Sequence, residues 1–295
     1  MRKFIFKFLR YSGLPFLIRS FIQRKKVTIV LFHNPEVAAA DMAFKYLKSK
    51  YNIVDLNVYI SALKSQDFSS IPNSPMIITF DDGHIKNYEL LPIIKKHNIP
   101  ITIFLCAAII NTNRHFWFNK KIDGVVGSDL KSLSNIERLA LLNKYDFDQN
   151  LEYDNAQALN EFQIKEMAPF VNMQSHTLFH PILPKCKIDE ARLEIGHSKK
   201  RLEQKHNLNI NTISYPNGDY SMRDIKLSKD AGYECGITVD FGFNNIKTDL
   251  FRLKRISVND TSDLNELIVK SCGLWGFFKT FNGRKQTYGF HSRTE

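Results

Sequence analysis

Short apolar runs rich in β-branched residues recur along the chain, and most of them end in polar residues. They are Val27 to Phe32 before His33 and Asn34, Met76 to Phe80 before Asp81 and Asp82, Ile101 to Leu105, Val171 to Gln174 before His176, Ile210 to Tyr215 before Asn217, and Cys235 to Val239. Apolar runs without polar alternation read as strands buried on both faces. A short strand is expected near Asn52 to Leu56, and Arg252 to Val258 is placed to close the sheet. Helical patterns fall between the strands, at Ala38 to Lys50, Tyr88 to His97, Ala156 to Ala168, Ile188 to His206 and Met222 to Ala231. Strand, helix, strand alternation predicts parallel βα units, and 295 residues suit one large α/β domain with appendages.

The rhythm breaks between 111 and about 155, a polar stretch with a helical pattern near Asn135 to Lys144 and an aromatic patch, Phe116-Trp117-Phe118. It reads as an insertion at the rim of the domain. The resulting plan is a basic segment over 1–26, the α/β domain over 27–260, and a C-terminal helix (Asp263 to Phe281) and tail over 261–295.

The net charge of +11 changes meaning once it is located. The first 26 residues carry eight Lys or Arg and no acid, leaving +3 for the other 269. The body is near neutral, and no interleaved aromatic and basic groove supports a nucleic-acid partner. The basic segment is too often interrupted by charge to span a bilayer or to serve as a secretory signal. Two readings stay open for it: a basic amphipathic stretch resting on anionic lipid, broken by Gly13 and Pro15, or an ordinary helix packed on the domain. Exposure of its apolar face separates them. The four cysteines, Cys106, Cys186, Cys235 and Cys272, lie far apart without metal or disulfide spacing and are expected as buried free thiols.

In a barrel of parallel strands the carboxyl ends converge on one face, so His33, Asp81, Asp82, His176 and His180 are candidates for one cleft. Two imidazoles at i and i+4, as in His176 and His180, lie on one side of a helical turn and suit zinc, with one aspartate completing three protein ligands and an open position. Alone, that pair is weak evidence, since surface or internally satisfied histidines also meet the spacing. Asp81-Asp82-Gly83 offers one carboxylate for a metal and one for a water, but such a triplet also makes a turn.

The string Ile78-Thr79-Phe80-Asp81-Asp82-Gly83 resembles the first signature of the NodB-like polysaccharide deacetylases, carbohydrate esterase family four, and Ser175-His176-Thr177-Leu178-Phe179-His180-Pro181 resembles the second. The resemblance covers about residues 27 to 260 and implies a deformed (β/α) barrel with one catalytic divalent metal, zinc first, with cobalt or nickel as alternatives. It implies Asp81 as general base, and Asp82, His176 and His180 as metal ligands. Ser214-Tyr215-Pro216-Asn217-Gly218 resembles the third signature, with Ser214 where an arginine is usual; the Asn217 backbone N–H is then the candidate oxyanion donor, beside Tyr215. Arg255 resembles the arginine that orients the base in the poly-N-acetylglucosamine deacetylase branch. The family's late leucine-x-histidine signature is absent, His291 lying in a polar tail. His33, in Leu31-Phe32-His33-Asn34, resembles the acid histidine of the permuted branch. Trp117 is a candidate for stacking on a sugar face or for local core.

The expectation is therefore a metal-dependent hydrolase that removes an acyl group, acetyl by expectation, from an amino sugar in a polysaccharide or lipid-linked glycan. A glycan-binding or scaffolding protein that keeps the fold without turnover is the alternative. The expected location is cytoplasmic, with peripheral contact at the inner membrane surface.

Overall fold

A computed structural model describes residues 2–281. Eight strands form one sheet among these residues: β1 (Thr28–Phe32), β2 (Asn52–Ile53), β3 (Pro75–Phe80), β4 (Ile101–Leu105), β5 (Val171–Ser175), β6 (Thr212–Ser214), β7 (Cys235–Ile237) and β8 (Ile256–Ser257). The order is β7-β6-β5-β4-β3-β1-β8, with β2 beside the start of β3, and every pairing is parallel. Ile237 in β7 also bridges Leu253, just before β8, so the two ends of the sheet meet and the strands curl into a deformed barrel.

Twelve α-helices accompany the strands among the described residues. They are α1 (Arg2–Tyr11), α2 (Leu14–Leu17), α3 (Val37–Lys50), α4 (Leu56–Ser65), α5 (Leu91–His97), α6 (Gly127–Ser132), α7 (Asn135–Asn143), α8 (Glu161–Met167), α9 (Ile188–His206), α10 (Met222–Asp230), α11 (Leu264–Ser271) and α12 (Leu274–Phe281). A π-helical turn, Ile18–Gln23, follows α2.

Alternation along the strands divides the core. Val30, Ile78, Phe80 and Ile103 face outward and pack with Phe44 and Leu47 of α3, Ile94 of α5 and Ile195 of α9. Ile29, Ile77, Phe104, Ile237 and Leu253 face inward and meet Leu56, Tyr59, Ile60 and Leu63 of α4, which plugs the interior. Burying each such side chain stabilises the fold by roughly 1.5–3 kcal/mol.

Several expected boundaries move for local reasons. The strand expected to reach Leu56 stops at Ile53, because Asp55 caps α4 by accepting the Asn57 N–H at 2.7 Å. The helix expected from Ala156 begins at Glu161, where the Asn160 side chain caps it and Ala158 is extended in a bridge to His84. The terminal helix is two helices, α11 and α12, broken at Gly273 (φ 82°), where a Cβ would lie 2.7 Å from Phe243. The tail with His291 lies outside the described residues.

The insertion builds its own small core, in which Trp117, Ile122, Leu130, Leu142 and Phe147 are buried together. The N-terminal segment packs by one stripe: Phe6 and Leu9 of α1, and Ile18, are buried with Val269, Cys272 and Leu274. All four cysteines are free and buried.

Candidate active site

Asp81 and Asp82 leave β3 through a turn that separates their side chains. The Asp81 N–H still donates to the Phe32 carbonyl at 3.1 Å, but Asp82 takes φ 75° and Gly83 φ 70°. A Cβ at Gly83 would stand 2.6 Å from a Leu105 side-chain carbon, so this exit requires glycine.

Asp81 turns toward Arg255, which immediately precedes β8. Two parallel bonds join them, Nη1 to Oδ1 at 2.7 Å and Nη2 to Oδ2 at 2.8 Å, with both side chains almost wholly buried. The guanidinium is fixed in turn by Nε donating to the Thr238 carbonyl at 2.8 Å and Nη2 donating to Ser214 Oγ at 2.9 Å. The small Ser214 leaves room for an arginine arriving from β8. Burial opposes ionisation of Asp81, but the Arg255 charge, helped by His176, outweighs it and holds the carboxyl well below the usual range.

Asp82 faces the two histidines. Its Oδ1 lies 3.6 Å from His176 Nε2 and 3.5 Å from His180 Nε2, and it has no hydrogen-bond partner although buried. Burial raises its pKa. His176 Nδ1 lies 2.8 Å from the Ser214 carbonyl; a carbonyl only accepts, so Nδ1 carries the proton and Nε2 presents its lone pair. Burial, then the neighbouring His176, push His180 well below its ordinary value, toward the neutral form that binds metals.

The two histidines do not sit on a helical turn, contrary to the expectation from their i, i+4 spacing. His176 follows β5 directly, and the loop after it places Thr177 (φ 65°) and His180 (φ 60°) in the left-handed region. Glu194 of α9 braces that loop by accepting the Leu178 N–H at 2.8 Å and the Phe179 N–H at 3.0 Å. Trp117 adds a second brace, its Nε1 donating to the His180 carbonyl at 2.8 Å.

This donor set fits one divalent cation. Ligands about 2.0–2.2 Å from a tetrahedral ion stand about 3.4 Å apart, close to the observed oxygen–nitrogen separations and too long for hydrogen bonds. All three residues are buried, their ligand atoms lie within 4.8 Å of one another, and the orphaned Asp82 oxygen lacks the partner that an ion would supply.

A cavity of about 870 Å³ brings His33, Asp81, Asp82, His176, His180, Asn217 and Arg255 together. His33 stands at the end of β1, its backbone N–H held by Asp260 Oδ1 at 2.9 Å. Asn217 (φ 58°) follows β6, and its side-chain oxygen accepts from Lys131 Nζ of the insertion at 2.6 Å. Of the two aromatic candidates, Tyr215 is placed otherwise than expected and Trp117 takes the second of its two readings, local core. Tyr215 is fully buried and does not line the cavity; it is stacked on Tyr220 and pressed against Gly236, so its ring meets the core. Trp117 borders the cavity, but only 4% of it is exposed and Arg138 lies 4.3 Å over its ring, leaving no open face for a sugar.

The braces Glu194 and Asp260, the bracing role of Trp117, and the cavity-wall residues Phe241 and Trp275 escape sequence reading. An acid inside a helix ordinarily faces water, and no local spacing ties Glu194 or Asp260 to loops 15 and 227 residues away.

The sequence profile of the family described as polysaccharide deacetylase matches residues 70–236, more than half of the chain. The chain belongs to the polysaccharide deacetylase family. Among curated members it is similar to YxkH of Bacillus subtilis (strain 168), named for a polysaccharide deacetylase, at 25% identity over 186 residues. That alignment covers 62% of this chain and 51% of YxkH, so the chain spans about half the length of that relative. Its fold is shared with solved structures that include deacetylases. The Streptococcus pyogenes deacetylase PplD superposes with a TM-score of 0.62 at 20% identity, covering 84% of this chain and 99% of that one. IcaB from Ammonifex degensii gives 0.60 at 17%, covering 85% and 98%, and the BpsB deacetylase domain from Bordetella bronchiseptica 0.58 at 15%, covering 80% and 96%.

Proposed function

We propose that this polysaccharide deacetylase family member hydrolyses the N-acetyl group of an amino sugar in a glycan, using one divalent metal. The observation that carries this reading is the pairing of two adjacent carboxylates in one cavity: Asp82 grouped with His176 and His180, and Asp81 held by Arg255. Asp82, His176 and His180 would hold the ion, with zinc the first choice and cobalt or nickel the alternatives. When bound, it supplies Lewis-acid polarisation of a carbonyl and a water of lowered pKa.

The chain's own groups account for the proton movements. Asp81 accepts a proton from the attacking water; the two Arg255 bonds leave each of its oxygens a further lone pair. The Asn217 N–H donates to the oxyanion that develops on the acetamide oxygen, held in place by the left-handed turn after β6. His33 protonates the departing nitrogen, and acetate and a free amino sugar leave. The insertion walls the cavity with Phe118, Ile122 and Leu130, which limits access of bulk water.

The roles are tested by Asp81→Asn and His33→Ala, with acetate release and metal content measured together. Loss of turnover at unchanged metal content supports them. Wild-type turnover by either variant removes the corresponding role.

A further inference from the structure

We propose that the outer face of α1, α2 and the π-helical turn behind them docks on an anionic membrane. The inner stripe of this segment already secures it to the domain. Phe6 and Leu9 are buried against α11 and its neighbours, Arg2 pairs with Glu266 at 2.6 Å, and the Arg10 guanidinium donates to Asn265 Oδ1 at 3.0 Å. The outer stripe touches that anchorage only through the Tyr11 and Phe16 rings, which lie against Arg10 and Arg19.

What the outer stripe presents is aromatic and basic. Phe4, Phe8, Tyr11, Phe16 and Phe21 are 77%, 75%, 69%, 59% and 77% exposed. Phe4, Phe8 and Tyr11 fall at i, i+4 and i+7, one line along α1, beside exposed Lys3 and Lys7. Arg24, Lys25 and Lys26 are exposed at the far end, and residues 1–26 contain no acid. Bulky rings set among cations match the headgroup region, where the rings leave water and the cations meet anionic lipid.

A second copy of this chain is a poor occupant, since two such faces would oppose their cations without an acid between them. Gly13 (φ 78°) breaks the segment into short pieces that suit contact in the plane of the interface. No described helix is long and apolar enough to cross a membrane.

The location also bears on the cavity. The Phe6 ring lies 4.7 Å from Trp275, which lines the cavity of Asp82, His176 and His180. Asn259 belongs both to that cavity and to the groove formed by Arg2, Lys3 and Phe6. The segment therefore lies beside the wall of the cavity. The docking surface itself stands independently of the deacetylase reading.

The test is cosedimentation of the full chain with vesicles of phosphatidylcholine alone or mixed with phosphatidylglycerol, over a range of salt. The expected result is binding to the mixed vesicles that weakens with salt, and more than roughly tenfold weaker partitioning of a Phe8→Glu, Phe16→Glu, Phe21→Glu variant at an unchanged thermal midpoint. A Lys25→Glu, Lys26→Glu variant should lose part of the binding. No binding to mixed vesicles, binding that ignores phosphatidylglycerol or these substitutions, or a concentration-dependent dimer dissolved by the triple variant would each overturn the proposal.

Discussion

At the carboxyl ends of β3 and β5, groups that water normally claims are buried: Asp81 is 4% exposed, Asp82 5%, His176 1% and Arg255 1%. Along α1 and the turn behind α2 the inversion runs the other way, with Phe4, Phe8 and Phe21 each at least 75% exposed. Apolar side chains ordinarily go inside and unpaired charges outside, so both regions depart from what stability alone selects. They differ in how the departure is supported. The buried charges are tied into a bidentate pair and a ligand cluster, where losing one partner leaves another stranded. The exposed rings touch little, so removing one disturbs nothing behind it.

The largest expected effects come from stranding a buried group. Replacing His176 or His180 by Ala should abolish metal binding and lower turnover by roughly a thousandfold or more, read as metal content beside acetate release. Retention of both would separate the cluster from the chemistry. Next, Arg255→Ala should destabilise the fold by about 3–5 kcal/mol in denaturant unfolding, because it leaves the Asp81 charge buried and unpaired. Arg255 lowers the Asp81 pKa, and activity needs the ionised carboxylate, so surviving activity should show its acid limb moved to higher pH. Arg255→Lys should restore stability better than it restores the pH profile, since an ammonium lacks the fork.

Glu194 gives a smaller and more specific effect. Burial raises it from 4.5 to about 7, against the pull of the two backbone N–H groups it accepts. The folded state therefore holds a proton that the unfolded chain has released, and stability should fall as pH rises between those two values. Glu194→Gln keeps an acceptor for the Leu178 and Phe179 N–H groups without the titration. Its stability should be flatter across that window, measured as denaturant midpoints at several pH values; an identical pH slope would contradict the assignment. The smallest effect belongs to the other region: Phe8→Glu or Phe21→Glu should change stability by under about 0.5 kcal/mol.

The contrast also marks what the sequence makes legible. Apolar runs locate the long strands because burial on both faces suppresses polar alternation, and β1, β3, β4 and β5 fall where expected within a residue or two. Asp81, Asp82, His176 and His180 were visible because they directly follow such runs or lie in the loop after one. Arg255 was reached only through family likeness, and the geometry explains why: it meets Asp81 across 174 residues, in the space that Ser214 leaves open. Less legible were α4, whose Asp55 cap and periodic Leu56, Tyr59, Ile60 and Leu63 go with a plugged barrel interior, and the left-handed residues of the histidine loop. Tyr215 is not legible, and Trp117 stays open between two readings, because an aromatic residue near a motif gives no sign of which way its ring turns. The N-terminal segment was ambiguous for a physical reason. One stripe packs on α11, as the packed-helix reading expects, and another faces out, which is the starting point of the docking proposal above.

The most direct measurement is acetate released from N-acetylglucosamine oligomers by the purified chain, first stripped with chelator and then given back zinc, cobalt or nickel. The account predicts no release from the stripped protein and release restored by one metal equivalent, lost again in the His180→Ala variant. Failure to bind metal, or equal release with and without it, would contradict the central claim that Asp82, His176 and His180 form the centre of a metal-dependent deacetylase.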